Sequence, residues 1–206
     1  MQEFIRDLVQ KNNTKIFFIV LDGLGGIPFD GKTELDIADK PHLDALARAS
    51  ACGLHIPVAM GITPGSGPGH LALFGYDPVE WQIGRGVLEA LGLGIELRKT
   101  DVAIRVNYAT VENGLIKDRR AGRIPTDQSR KITEKLQGKL QKIDDVEVIL
   151  APGMEHRFAA VLRFPEPLPP GSASIKDTDP QKEGKEPVPI IPQTPQAGRV
   201  AQIVEK

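Results

Sequence analysis

Residues 64–69, Pro-Gly-Ser-Gly-Pro-Gly after Thr63, force the chain into turns around a single hydroxyl. Ser66 stands among Gly65, Gly67 and Gly69, and Pro64 and Pro68 fix the backbone beside it. An apolar run, Leu71-Ala72-Leu73-Phe74, follows and reads as the start of a helix. Glycines let backbone approach a bound group closely, and a helix N-terminus offers unpaired N–H groups to an anion. A serine held there is well placed to take up a phosphoryl group. Serine is a weak nucleophile, so a histidine-based triad or a metal ion must help remove its proton.

The upstream sequence favours the metal. Lys15-Ile-Phe-Phe-Ile-Val-Leu21 is a run of β-formers that predicts a short buried strand, with Asp22 at its carboxyl end and Gly23-Leu24-Gly25-Gly26 behind it. Open α/β sheets put their ligands at that end of the strands. Carboxylate and alkoxide oxygens suit magnesium, manganese or zinc. Asp22 as a turn former or helix cap is the plainer alternative. Three competing motifs fail on spacing. A nucleophile elbow needs glycines two residues either side of the serine, where this chain has Pro64 and Pro68. Neither glycine loop carries a P-loop lysine, and Pro28 stands where a dinucleotide fingerprint needs its third glycine.

A formal net charge of −1 gives no global field toward nucleic acid or an anionic membrane. One cysteine, Cys52, excludes an intrachain disulfide and fits a reducing cytoplasm. The run 16–21 is far too short to span a bilayer. Further elements read as a leading helix at 3–10, a helix at 41–50 started by Asp39 and Pro41, a strand at 53–58, a helix at 85–92 and a strand at 101–108 with alternating Val102, Ile104 and Val106. After about residue 108 the texture changes to an α+β unit, with strands at 115–117, 147–150 and 157–164 and a helix at 126–140 capped by Thr126. Ten of the 17 prolines lie from Pro152 onward, so 165–195 is expected to be a long mobile loop rather than core. Residues 197–206 begin an amphipathic helix, and a chain ending there reads as incomplete. Arginine forks are natural clamps for phosphate and carboxylate, and Asp118-Arg119-Arg120-Ala121-Gly122-Arg123 holds three of them around a turn; a solvated basic loop is the alternative. His156-Arg157, where a loop enters a strand, is a further candidate, and His70 is open between facing a substrate and a structural place.

Together Asp-Gly-x-Gly after the first strand, residues 40–47, the serine loop 63–78, residues 83–92, 105–110 and 118–123 resemble the archaeal-type, cofactor-independent phosphoglycerate mutases of the alkaline phosphatase superfamily. The likeness is close over about 15–130 and looser around His156-Arg157 and Asp177-Thr178-Asp179-Pro180. It implies an α/β chain: the N-terminal half of an alkaline-phosphatase-like three-layer domain over 1–108, then part of an inserted α+β substrate-binding domain over 109–206. It implies interconversion of 2- and 3-phosphoglycerate in glycolysis and gluconeogenesis, with no 2,3-bisphosphoglycerate requirement. Two divalent ions are implied, manganese foremost, with magnesium, cobalt or zinc as alternatives. Ser66 is then the phosphorylated nucleophile, Asp22 and Ser66 are metal ligands, and Asp118, Arg119, Arg123, His156 and Arg157 contact substrate. After Asp179-Pro180 the family usually has histidine where this chain has Gln181. The family's Asp-x-x-x-His and Asp-His metal pairs have no counterpart around His42, His55, His70 or His156, so this chain alone is expected to be inactive. A plain metal-dependent phosphatase or phosphotransferase, or a non-catalytic truncated product, remain the other readings.

Overall fold

A computed structural model describes residues 7–21, 24–62 and 64–206. The helices are α1 (Glu34–Ile37), α2 (Pro41–Arg48), α3 (Ser66–Leu73), α4 (Arg85–Gly92), α5 (Thr126–Lys139) and α6 (Gly198–Glu205). The strands are β1 (Asp101–Asn107), β2 (Thr110–Glu112), β3 (Leu115–Asp118), β4 (Lys142–Ile143), β5 (Val146–Pro152) and β6 (Arg157–Arg163). β2 and β3 form a hairpin turned by Asn113 and Gly114, both at positive φ, as the Asn-Gly pair favours. The other four form an antiparallel sheet in the order β1-β6-β5-β4.

Period-two alternation sorts the residues of this sheet onto two faces. Val102, Val148 and Leu162 turn to one face, where Val200 and Ile203 of α6 close the core. Ala103, Ile149, Ala159 and Val161 turn to the other, where Ala90 of α4 packs. Gly86 brings α4 hard against β1: a methyl group there would lie 1.9 Å from the Ala103 carbonyl oxygen. Below the short β4, the Gln137 side chain stands in for a missing strand. Its amide donates to the Val148 carbonyl at 3.1 Å, and its carbonyl accepts from the Leu150 N–H. At the far end of the β1–β6 ladder, Asp101 takes both forks of Arg163 at 2.9 and 3.0 Å. Burial works against the Asp101 charge, but Arg163 and the Arg98 N–H outweigh it and hold the carboxyl below its ordinary range.

Four expectations are corrected. First, residues 15–21 form no strand ladder, with Ile16 93% and Ile19 80% exposed. Among the described residues no backbone hydrogen bond is made to that run. Second, 53–58 form no strand; β1 instead pairs along its whole length with β6, so one sheet joins residues from both sides of residue 108. Third, Thr126 is the first helical residue of α5 rather than its cap; the cap position falls to Pro125, and the Thr126 hydroxyl instead accepts the Glu155 N–H. Fourth, 165–195 is irregular but tied down, by Lys176 to Ile191, Val188 to Thr178 and Gln193 to Ser174, and it buries Ser172. Residues 3–6 of the helix expected at 3–10 lie outside the described residues.

Candidate active site

The alternation that buries valines on one face sends Arg105 and Asn107 to the other, and the register sets Asn107 opposite Arg157. The same face carries α4, whose first residue is Arg85. These groups meet the Arg119-Arg120 turn and the Asp177–Gln181 segment around a polar cavity of about 180 Å³, with His156 in its wall. That is the volume of a few water molecules, the scale of a small metabolite. Five guanidiniums, of Arg85, Arg105, Arg119, Arg120 and Arg157, face two carboxylates, of Asp177 and Asp179, so the cavity calls for an anion. A larger cavity of about 510 Å³ meets this one at Arg105, Asn107 and Arg119 but is lined mainly by apolar residues such as Leu136, Leu150 and Ile203.

The cations are not equivalent. Arg119 is engaged: Nε and Nη2 donate to the two Asp179 oxygens at 2.7 Å each, and Nη2 also donates to Gln181 Oε1 at 2.6 Å. That pairing raises the Arg119 pKa and lowers that of Asp179. Gln181 thus helps to hold Arg119. Arg105 is in the opposite situation: burial, then the charges of Arg85 and Arg157, push its pKa down. Crowded cations with little compensation are stabilised by an incoming anion.

Of the residues expected to touch substrate, Arg119, His156 and Arg157 come together here. Asp118 does not line the cavity. Its carboxylate accepts the N–H groups of Arg120 and Gly122 at 2.7 Å each, which lowers its pKa and builds the turn. Three successive residues, Ala121, Gly122 and Arg123, hold positive φ in that turn, a strained arrangement that the Asp118 bonds support. Arg123 points away from the cavity and pairs with Glu155 at 3.0 Å, with 57% of its side chain exposed. Arg85, Arg105 and Asn107 were not singled out as site residues from sequence, and Arg120, Asp177 and Asp179 stood in quoted motifs without a contact assigned to them. Two signals were available: polar residues at alternate positions late in an apolar strand, and an arginine between glycines at a helix start.

His156 is 3% exposed, and its backbone carbonyl accepts the Tyr108 N–H at 2.7 Å. Burial, then Arg157 and Arg120, push its pKa down. The unfolded chain therefore takes up a proton below pH about 6.5 that the folded imidazole refuses. The His156 contribution is complete above that pH and is lost as pH falls below it. A histidine NMR titration is expected to place the His156 midpoint below 6.5 and to move it upward on adding inorganic phosphate; a midpoint above 6.5 without phosphate contradicts the burial.

Asp22 lies outside the described residues, and of Ser66 only the backbone is described, as the first residue of α3 behind Gly65. That backbone is placed informatively. A methyl group at Gly67 would lie 3.0 Å from Leu88 Cδ1 and 3.6 Å from the Ile83 carbonyl oxygen, on either side of Arg85 in sequence. The serine loop therefore abuts the helix that brings Arg85 to the cavity. Among the described residues no group of three or more His, Cys, Asp or Glu converges to hold a metal ion. Asp22 and Ser66 offer three oxygens at most, whereas divalent ions take four to six or more ligands. No helix among the described residues is long and apolar enough to cross a membrane.

Comparison with known proteins decides the family. The model of 2,3-bisphosphoglycerate-independent phosphoglycerate mutase matches residues 47–206. The chain belongs to that family, in its archaeal-type branch. It is 61% identical to a probable 2,3-bisphosphoglycerate-independent phosphoglycerate mutase of Aquifex aeolicus, over 99% of this chain and 51% of that one. It is 53% identical to the Thermotoga maritima counterpart over 89% of this chain and 45% of that one. Among solved structures, it matches a cofactor-independent phosphoglycerate mutase from Thermoplasma acidophilum at 38% identity and TM-score 0.51, over 66% of this chain and 35% of that one. A Pyrococcus horikoshii protein matches at 33% identity and TM-score 0.57, over 69% of this chain and 35% of that one. The chain spans about half the length of the curated relatives it matches. The family is metal-dependent.

Proposed function

We propose that this chain forms the substrate-binding and phosphate-accepting part of an enzyme that interconverts 2- and 3-phosphoglycerate. The observation that carries this reading is the arginine cavity at the start of α4, abutting the loop of Ser66. In this reading, Arg85, Arg105 and Arg157 hold the charged oxygens of the substrate. Arg119, fixed by Asp179 and Gln181, lines the wall between the sheet and the 165–195 segment. Ser66, at the first position of a helix, accepts the phosphoryl group and later returns it to the other hydroxyl of the retained glycerate. The exposed run 15–21 becomes a sheet strand in the full-length protein. The donors that Asp22 and Ser66 lack for a metal centre, with manganese the expected ion and magnesium, cobalt or zinc the alternatives, belong to the half of the relatives' length that this chain does not span.

The test is a chimera of this chain with the remaining half of the Aquifex aeolicus relative. Arg157→Ala and Arg105→Ala are each expected to lower kcat/KM for mutase about tenfold to a hundredfold, the usual effect of losing a charge-assisted hydrogen bond. Phosphate release into water is expected to rise relative to transfer, because glycerate escapes more easily. Arg123→Ala, outside the cavity, serves as the control and changes little. Equal effects of all three substitutions, or none of any, would contradict the reading; phosphate release without mutase activity would point to a phosphatase.

A further inference from the structure

Two buried side-chain atoms of cavity-lining residues find no hydrogen-bond partner: Oδ1 of Asn107, and Nδ1 of His156, which stands 3.7 Å from Glu155 Oε2, beyond hydrogen-bond distance. Folded proteins leave few such atoms, and each asks for an explanation. The ladder explains why these two are neighbours. Asn107 ends β1 opposite Arg157, and the Tyr108 N–H that follows it bonds to the His156 carbonyl. Both orphans therefore lie beside the cations without being used by them.

Their chemistry differs from that of the arginines. Phosphate and carboxylate oxygens accept hydrogen bonds, and the guanidiniums supply donors for them. An amide oxygen is itself an acceptor, so an anionic oxygen cannot satisfy it. His156, kept from a second proton by burial and by Arg157 and Arg120, carries one N–H and one acceptor nitrogen. A hydroxyl, which donates one hydrogen bond and accepts another, suits both atoms at once.

We propose that Asn107, with His156 beside it, reads a free hydroxyl on the anion held by the arginines, making the cavity selective for a hydroxylated acid phosphate over its deoxy analogue. This rests on the reading of the cavity as a phosphoglycerate site. Asn107 is then a specificity residue: it leaves the charged ends to the arginines and orients the three-carbon skeleton by its remaining hydroxyl. That hydroxyl is the group which must be tracked when glycerate turns between its two phosphorylated forms.

Calorimetric titration of the 206-residue chain with 2-phosphoglycerate, 2-phospholactate (which lacks the second hydroxyl) and inorganic phosphate tests this. The wild-type chain is expected to bind 2-phosphoglycerate about tenfold more tightly than 2-phospholactate, the worth of one satisfied hydrogen bond. Asn107→Ala and Asn107→Leu are expected to lose that preference while binding inorganic phosphate as the wild type does. Equal wild-type affinities for the two acids would overturn the inference while leaving the phosphoglycerate reading intact. Absence of binding to either acid would overturn both. If the preference survives both substitutions, Asn107 does not read the hydroxyl. If both abolish phosphate binding as well, Asn107 supports the cavity rather than the ligand, and the inference again fails.

Discussion

Ser66→Ala in the chimera with the Aquifex aeolicus half is expected to cost about a thousandfold or more in mutase turnover, since the Ser66 hydroxyl is the group that carries the phosphoryl intermediate in this scheme. The fold should survive, because the substitution removes one oxygen from a loop built by glycine and proline. Mass spectrometry of the wild-type chimera quenched during turnover should find phosphate on Ser66 and none on the alanine variant. Near-normal turnover by the variant would end the phosphoserine scheme and leave the arginine cavity with another reaction.

The second large effect is structural. Gly86→Ala would place a methyl group 1.9 Å from the Ala103 carbonyl oxygen, 2.4 Å from its carbon and 2.7 Å from the Ile104 nitrogen. All three are backbone atoms of β1 and cannot swing aside as a side chain would. Helix α4 must lift off the sheet, at a cost of roughly 3 kcal/mol or more, beyond ordinary overpacking. For a chain of this size that is a fall in Tm of about 10 °C. Gly92→Ala, with nothing within 4 Å, provides the comparison and should melt close to wild type. Since Arg85 precedes Gly86, the same shift should weaken anion binding. Equal melting of the two variants, followed by circular dichroism, would show that α4 does not sit against β1 as described.

The region from α4 to β6 was legible because its signals are local. Alternating Val102, Ile104 and Val106 fixed one sheet face, and helix α4 was bounded by Gly84 and Gly92 in the sequence itself. The run 15–21 was legible as a strand in composition only. A strand also needs a partner for its N–H and C=O groups, and the described residues provide none. The Arg119 turn, His156 and Arg157 could be picked out by chemistry, yet their convergence with Arg85 and Arg105 depends on the β1–β6 register, which no short window contains. Arg123 and Asp118 belong to the same motif but do different work. One pairs with Glu155 on the surface, and the other shapes the turn. Prolines in 165–195 excluded regular structure, but not the anchoring that brings Asp179 to Arg119.

The central claim is that the arginines at the start of α4 and on the adjoining sheet face bind phosphoglycerate. Its most direct test is an NMR titration of the uniformly labelled 206-residue chain with 3-phosphoglycerate, following the arginine Nε–Hε resonances. Those of Arg85, Arg105 and Arg157 are expected to shift together and saturably, while Arg123 and Arg199, paired with Glu155 and Asp145 outside the cavity, stay in place. Shifts confined to the outlying arginines, or unchanged cavity resonances at saturating ligand, would contradict it.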